Sequence, residues 1–434
     1  MLEDVMNHPA IVVVAFNRPE SLKRLLISIA AARYPHGSVD LLISIDHSDV
    51  QPEIIAIAES FEWCHGNKQV LRKGSRAGLR SHILDCGDLT SQFGSIILLE
   101  DDLYVSPYFY EYTVAAQKFF NDDPRVAGVS LYSHGYNETA NLAFHPFDDG
   151  FDNFYIQLPS SWGQSWTATQ WNAFRQWYGS HLNEPITNED KVPADVVAWP
   201  ETSWKKYFTK YMATQNLYFS YPRKSLTTNF MDPGTHHKKT FTHLQMPLQE
   251  TGQSYSFASV DESGALYDGH VEPLVISLTR DHETLSAYAH DLTIDLYGVK
   301  PISQIDTKYV LTRKPTGKAL MSWGRTLKPH ERNVTHNIDG DDIRLCETMN
   351  CDYEAPLQLF KEANYFHNLS PQMHQILNEP DPNDIQFGKF EKLAREIRYR
   401  IVLMKRPVSV RDTRIGWIVT RFVGAIRRVL NRST

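Results

Sequence analysis

The sequence predicts an α/β protein built on a doubly wound, mostly parallel sheet. Three observations predict it. Short β-branched, apolar runs alternate with amphipathic helical stretches through the first third of the chain. The runs are continuous in hydropathy, as strands covered on both faces require. Each run also ends in polar or charged residues, and open α/β sheets bind ligands beyond the carboxyl ends of their strands.

Ala10 to Phe16 is the first such run. Pro19 follows as a good first helical residue, and Leu22, Leu25, Leu26 and Ile29 fall on one helical face. Val39 to Ile45 is a second strand, ending at Asp46, and Pro52 to Trp63 a second helix. Gln69 to Leu71 is a short strand, and Leu79 to Leu89 has helical character. Ser95 to Leu99 is the fourth strand, closed by Glu100-Asp101-Asp102. Ser106-Pro107 opens a helix to about Phe120, and Val126 to Leu131 is a further strand. The stretch 151–243 is rich in aromatics and weaker in periodicity, and 249–380 is loop-rich.

Length and charge set the wider frame. A chain of 434 residues has room for two to four domains, and 42% hydrophobic with 22% charged residues describes a globular protein. Four cysteines are too few for a disulfide framework, no apolar stretch is long enough to span a bilayer, and Met1-Leu2-Glu3-Asp4 lacks a secretory core. The expected compartment is therefore cytoplasmic. The segment 389–434 carries 13 Lys and Arg against 3 Asp and Glu, whereas the rest of the chain carries 31 against 48. An acidic body argues against a nucleic-acid partner, and a basic tail seeks an anionic one.

Asn17 and Arg18, Asp46, and the acidic triplet sit at three strand ends and should converge on one crevice. Three adjacent carboxylates repel unless something neutralises them. Mg²⁺ or Mn²⁺ does so with one or two carboxylates and the phosphates of a substrate such as a nucleoside diphosphate. Asp46 can accept from a nucleobase or ribose donor, or can cap a helix or turn. Arg18 can pair with phosphate or with the acids. The chain has neither GxGxxG nor GxxxxGK[ST].

Ala15-Phe16-Asn17-Arg18-Pro19, Ile43-Ser44-Ile45-Asp46 and Ile97-Leu98-Leu99-Glu100-Asp101-Asp102-Leu103 resemble, in order and spacing, the nucleotide-sugar half of GT-A glycosyltransferases. The nearest resemblance is to N-acetylglucosaminyltransferase I and its bacterial relatives. It extends through Val105 to Tyr112, Gly128-Val129-Ser130 and Trp162-Gly163, over about residues 10–240. The resemblance implies an inverting transfer from a nucleotide sugar, UDP-linked by expectation, and Mn²⁺ (or Mg²⁺) held by Asp102 with help from Asp101. It further implies a nucleotide-sugar site of Phe16, Arg18, Asp46, Arg76, His82, Glu100 and Asp101. The family's general base precedes a Trp; the matching run is Trp199-Pro200-Glu201-Thr202-Ser203-Trp204, with Ser203 at the nearest position. Glu201 is the expected substitute and Asp195 the reserve.

Trp162 and Trp166 are the candidates to stack on an acceptor sugar, although aromatics at such spacing also build cores. His236 is a further metal candidate in the Thr235-His236-His237 loop. In the tail, apolar positions 415, 418, 419, 422, 426, 429 and 430 share a helical stripe, and Arg414, Arg421 and Arg428 repeat every seven. That pattern suits an interfacial helix on anionic lipid; packing on the body is the alternative.

The expected organisation is a catalytic domain over 1–245 with a GT-A (Rossmann-like) fold, a C-terminal α/β extension over 246–385, and a basic amphipathic helical tail over 386–434. The expected function is metal-dependent glycosyl transfer to a glycan or lipid-linked acceptor in surface polysaccharide synthesis, by a protein peripheral to the inner face of the cell membrane. A homo-oligomer is compatible with this. The competing readings are a nucleotide-sugar phosphoester hydrolase using the same acids, and a non-catalytic glycan-binding scaffold.

Overall fold

The structure is a computed structural model that describes residues 8–34, 37–182, 184–232, 242, 244–280, 282–355 and 365–367. The basic tail and His236 lie outside the described residues. The chain divides into two units, Met1–Asn368 and Leu369–Thr434, and every element named below belongs to the first.

The first third folds in the expected order. Strands β1 (Ala10–Ala15), β2 (Leu41–Ile45), β3 (Lys68–Arg72) and β4 (Ser95–Glu100) alternate with helices α1 (Pro19–Ala30), α2 (Gln51–Ser60) and α3 (Leu79–Gly87). β1 pairs in parallel with β2 and β4, and β2 pairs in parallel with β3. The apolar runs are continuous because the sheet has a core on each face. Val12, Val14, Ile96 and Leu98 enter one core; Ile11, Val13, Ala15, Ile97 and Leu99 enter the other. Alternate residues of a strand point to opposite faces, so one run serves both layers. Leu22, Leu25, Leu26 and Ile29 of α1 are all buried against the second core. Burial of each such side chain stabilises by about 1.5–3 kcal/mol.

Beyond Glu100 the chain forms β5 (Leu103–Val105), α4 (Phe109–Phe120) and β6 (Val126–Ser130). The helix starts at Phe109, later than Ser106-Pro107, and is entered through a turn held by the Ser106 hydroxyl. It donates to Gln249 O and accepts from Tyr108 N.

The aromatic middle supplies β7 (Asn153–Ile156), β8 (Gln164–Thr167), α5 (Ala168–His181), α6 (Trp204–Gln215), β9 (Tyr218–Pro222) and β10 (Thr227–Asn229). β11 (Leu266–Tyr267) follows. The sheet runs β11-β7-β9-β6-β8-β4-β1-β2-β3. It is more mixed than expected: β8 pairs antiparallel with both β4 and β6, and β7 pairs antiparallel with β9. The other five pairings are parallel. β11 lies beyond the boundary expected near residue 245, yet forms the outer strand of this same sheet. A second sheet of four strands, β12 (Leu292–Asp295), β13 (Tyr309–Thr312), β14 (Met321–Trp323) and β15 (Ile343–Glu347), has the order β12-β13-β15-β14 and its own apolar core.

Two pairings position the site. Antiparallel register places Gln164 opposite Leu98, so the turn before β8 arrives at the end of the sheet where Glu100 lies. β10 pairs with β5, and Phe230 N donates to Asp102 O at 3.1 Å, which fixes the acidic turn from its other flank.

Candidate active site

The ends of β1 and β4 meet through Arg18. Its Nη1 donates to Asp102 Oδ2 at 2.8 Å, and its Nη2 donates to Asp101 Oδ1. Phe16 N donates to the other Asp101 oxygen at 3.3 Å. Arg18 occupies the residue before α1 but makes no side-chain cap, which leaves the guanidinium to fork across the two acids. Burial pulls the Arg18 pKa down, but Asp101 and Asp102 outweigh it and raise it overall. Burial lifts the Asp101 carboxyl to about 6 against the opposing pull of Arg18.

Glu100 differs from its two neighbours. It is partly buried and makes no side-chain hydrogen bond among the described residues. Burial, then repulsion from Asp102, pushes its carboxyl up to about 8. Asp102 differs again: Oδ2 is held by Arg18, while Oδ1 is buried with no hydrogen-bond partner. An orphaned carboxylate oxygen costs free energy unless a cation or donor completes it.

Asp46 closes the second strand end. Its Oδ1 accepts from His47 N at 2.9 Å and Ala77 N at 2.8 Å, and its Oδ2 accepts from Gly78 N at 3.0 Å. Burial alone would raise this carboxyl; the three N–H donors lower it. Asp46 therefore pins the loop leading into α3, where Gly78 takes a φ of +79° that side chains resist. That loop carries Arg76, whose guanidinium lies 4.9 Å from the Phe16 ring centroid. Residues from β1, β2 and β4 are thus brought together as expected. Asp46 meets backbone donors here, in the capping role that the sequence left open beside base recognition.

His82 lies deeper. Its Nε2 is 2.7 Å from Ser44 Oγ, and burial lowers its pKa to about 4. It is a neutral core histidine in this structure, with 2% of its surface exposed.

On the aromatic side, Trp162 is half-buried, edge-on to Tyr132 with centroids 4.7 Å apart. Its carbonyl accepts from Thr227 Oγ1. The turn needs Gly163, at φ +94°, because a Cβ there would meet Thr227 Cγ2 at 2.7 Å. Trp166, expected beside it, is instead fully buried among Trp171, Trp204, Phe208 and Phe219, with no face for a ligand. It sits within β8, where alternation turns it into the core.

The two expected bases are already engaged. Glu201 accepts from Lys206 Nζ at 2.6 Å and from Tyr207 OH, and these partners hold its carboxyl below the usual range. A carboxyl held low is a weak base. Asp195 is buried and accepts from Thr139 Oγ1 at 2.8 Å. His236 lies outside the described residues; Asp232, shortly before it, is tied to Ser21 and Arg24 of α1.

Lys205 joins the site without any forewarning from the sequence. Its Nζ lies 5.5 Å from the Trp162 ring centroid and 5.3 Å from that of Trp199, and its charge acts on Glu100. The only signal was a cation beside Trp204, in a run whose carboxylate drew the chemical reading.

Among the described residues no group of three His, Cys, Asp or Glu side chains forms a ready metal cage, and no helix is long and apolar enough to cross a membrane. The buried Asp102 Oδ1 nonetheless fits a cation that takes one carboxylate oxygen and completes its shell with phosphate and water.

No family model and no curated protein matches the chain. Similar solved structures include a mannosyltransferase from Pyrobaculum calidifontis in complex with GDP-Man and Mn²⁺. It is 13% identical, with 39% of this chain and 47% of that one covered and a TM-score of 0.28. S. aureus TarS in complex with UDP is 14% identical over 50% and 59% of the two chains, with a TM-score of 0.33. The same TarS fragment without UDP is 13% identical over the same shares, also at 0.33. The chain spans about half the length of these structures. Overlap this loose decides nothing about the present chain, whose reading rests on its own geometry.

Proposed function

We propose that this chain is a glycosyltransferase that moves a sugar, with inversion, from a UDP-linked donor to a glycan or lipid-linked acceptor. The observation that carries the proposal is the meeting of Arg18 with Asp101 and Asp102 at the carboxyl end of the sheet, with one Asp102 oxygen left buried and unpaired. The motif resemblance to the N-acetylglucosaminyltransferase I family supports the same reading.

Phe16 and Arg76 flank the nucleotide, and Arg18 presents a fixed cation to the diphosphate. Asp102, through Oδ1, would hold Mn²⁺ or Mg²⁺, with Asp101 as its neighbour. When bound, that ion offsets charge developing on the departing diphosphate. Glu100 takes the proton of the acceptor hydroxyl. Set against Glu201 and Asp195, it alone makes no side-chain hydrogen bond among the described residues, so as a carboxylate it is open to the acceptor hydroxyl. Glu201 and Asp195 are the alternatives at that step. Trp162 stacks on the acceptor. The basic tail holds the protein to anionic lipid, where a lipid-linked acceptor would be found. A variant ending at Pro407 should then fail to sediment with anionic liposomes.

Calorimetry with UDP, GDP and CMP, with and without Mn²⁺, tests the central reading. UDP should bind with a Mn²⁺-dependent gain in affinity. Equal, metal-indifferent binding of all three nucleotides, or none, would overturn it. Nucleotide-sugar cleavage with no acceptor requirement would favour a hydrolase.

A further inference from the structure

Helix α6 carries three lysines near its start, and they are treated differently. Lys206 pairs with Glu201 at 2.6 Å. Lys210 pairs with Asp190 at 3.1 Å and Glu184 at 3.5 Å. Lys205 forms no ion pair among the described residues, although it is half-buried. Its ammonium group lies instead 5.5 Å from the ring centroid of Trp162 and 5.3 Å from that of Trp199, which come from different loops.

Rings near an ammonium replace part of its hydration, but they supply no counter-charge. A cation in this setting is incomplete, and an anion would complete it. The two indoles add apolar faces on which the C–H face of a pyranose can lie. Arg18, at the end of β1, is already committed to Asp101 and Asp102, whereas Lys205 has no carboxylate in ion-pair contact among the described residues.

We infer that Lys205, Trp162 and Trp199 form a subsite for a saccharide bearing a negatively charged substituent, a carboxylate or a phosphate, on the acceptor. That the saccharide is the acceptor rests on the transferase reading; the subsite itself can be tested apart from it. Lys205 supplies the charge, and the indoles supply the stacking surface. A neutral sugar of the same shape uses only the second.

The test uses the full chain at low ionic strength. Tryptophan fluorescence and ligand-detected NMR follow titration with methyl glucuronide, glucose 6-phosphate and methyl glucoside. The two anionic sugars should bind about tenfold or more tightly than the neutral one, and 0.5 M salt should shrink that preference. Lys205→Met should abolish it and Lys205→Arg should keep most of it. Equal wild-type affinities for charged and neutral sugars would overturn the inference, as would a preference that survives in Lys205→Met. UDP titrations with Mn²⁺ run alongside. If Lys205→Met loses UDP affinity with its sugar preference intact, the cation belongs to the donor phosphates and the acceptor assignment falls. If the wild type binds no nucleotide but still selects anionic sugars, the subsite stands and the transferase reading falls.

Discussion

The two flanks of the crevice are finished to different degrees. On the β1–β2 flank nearly every polar atom is engaged: Arg18 forks across two acids, Asp46 collects three backbone N–H groups, and His82 meets Ser44. On the β8–α6 flank Lys205 has no ion pair among the described residues and Trp162 is half-exposed, and beside it Glu100, at the end of β4, has no hydrogen bond among them. A flank with its polar groups satisfied is rigid and ready for one shape of ligand. A flank with incomplete groups has its electrostatics completed only when a ligand arrives. The difference teaches where binding is prepared and where it is finished.

The largest effect expected from this contrast concerns Glu100. Glu100→Gln should lower transfer by about 10²–10⁴-fold, while Glu201→Gln lowers it less than about tenfold because Lys206 and Tyr207 hold the Glu201 carboxyl low and make it a weak base. Steady-state rates of both variants decide between them, and the reverse order would move the base to Glu201. Next is Asp102→Ala, which should cost about 10–100-fold in the Mn²⁺-dependent part of UDP affinity. Unchanged calorimetric titrations would remove the cation from that oxygen.

The engaged flank should respond in stability. Arg18→Ala leaves the buried Asp101 without its partner and should lower unfolding free energy by about 1–3 kcal/mol in urea titrations. The lower half of that range is favoured because the guanidinium is 22% exposed. Arg18→Lys should recover only part of the loss, since an ammonium cannot fork. Asp46→Ala removes the acceptor for Ala77 and Gly78 and should cost about 1–2 kcal/mol.

The smallest effects are in pH dependence, and Glu100 and His82 have opposite signs. Glu100 is raised in the fold to about 8, so its contribution to stability is present below the ordinary carboxyl range and is lost as pH rises through 8. His82 is lowered to about 4, so its contribution is present above the ordinary imidazole pKa and is lost as pH falls through 4. Urea midpoints measured from pH 4 to 9 should lose their alkaline slope in Glu100→Gln and part of their acid slope in His82→Gln. A Glu100→Gln slope equal to that of the wild type would mean that this carboxyl is not buried as described.

The legible parts of the molecule were those governed by short-range rules. The run Ala10–Ala15, the stripe Leu22–Ile29 and the acids after Leu99 all appear where spacing and hydropathy put them. β7 and β8 were not legible, because their aromatic residues fit a core helix as well as a strand and their partners lie far away in sequence. Trp166 was misplaced for that reason: only pairing with Ile96 reveals which face it takes.

The sequence by itself determined that three strand ends would gather charge in one crevice, since strand–helix alternation fixes the end of the sheet at which those residues emerge. Only the tertiary structure decided which of those charges were already answered. Arg18 and Asp102 are 84 residues apart, and Trp162 meets Lys205 across a strand and two helices. Contacts of that kind are set by the crossing of β8 and the seating of α6, and no local pattern encodes them.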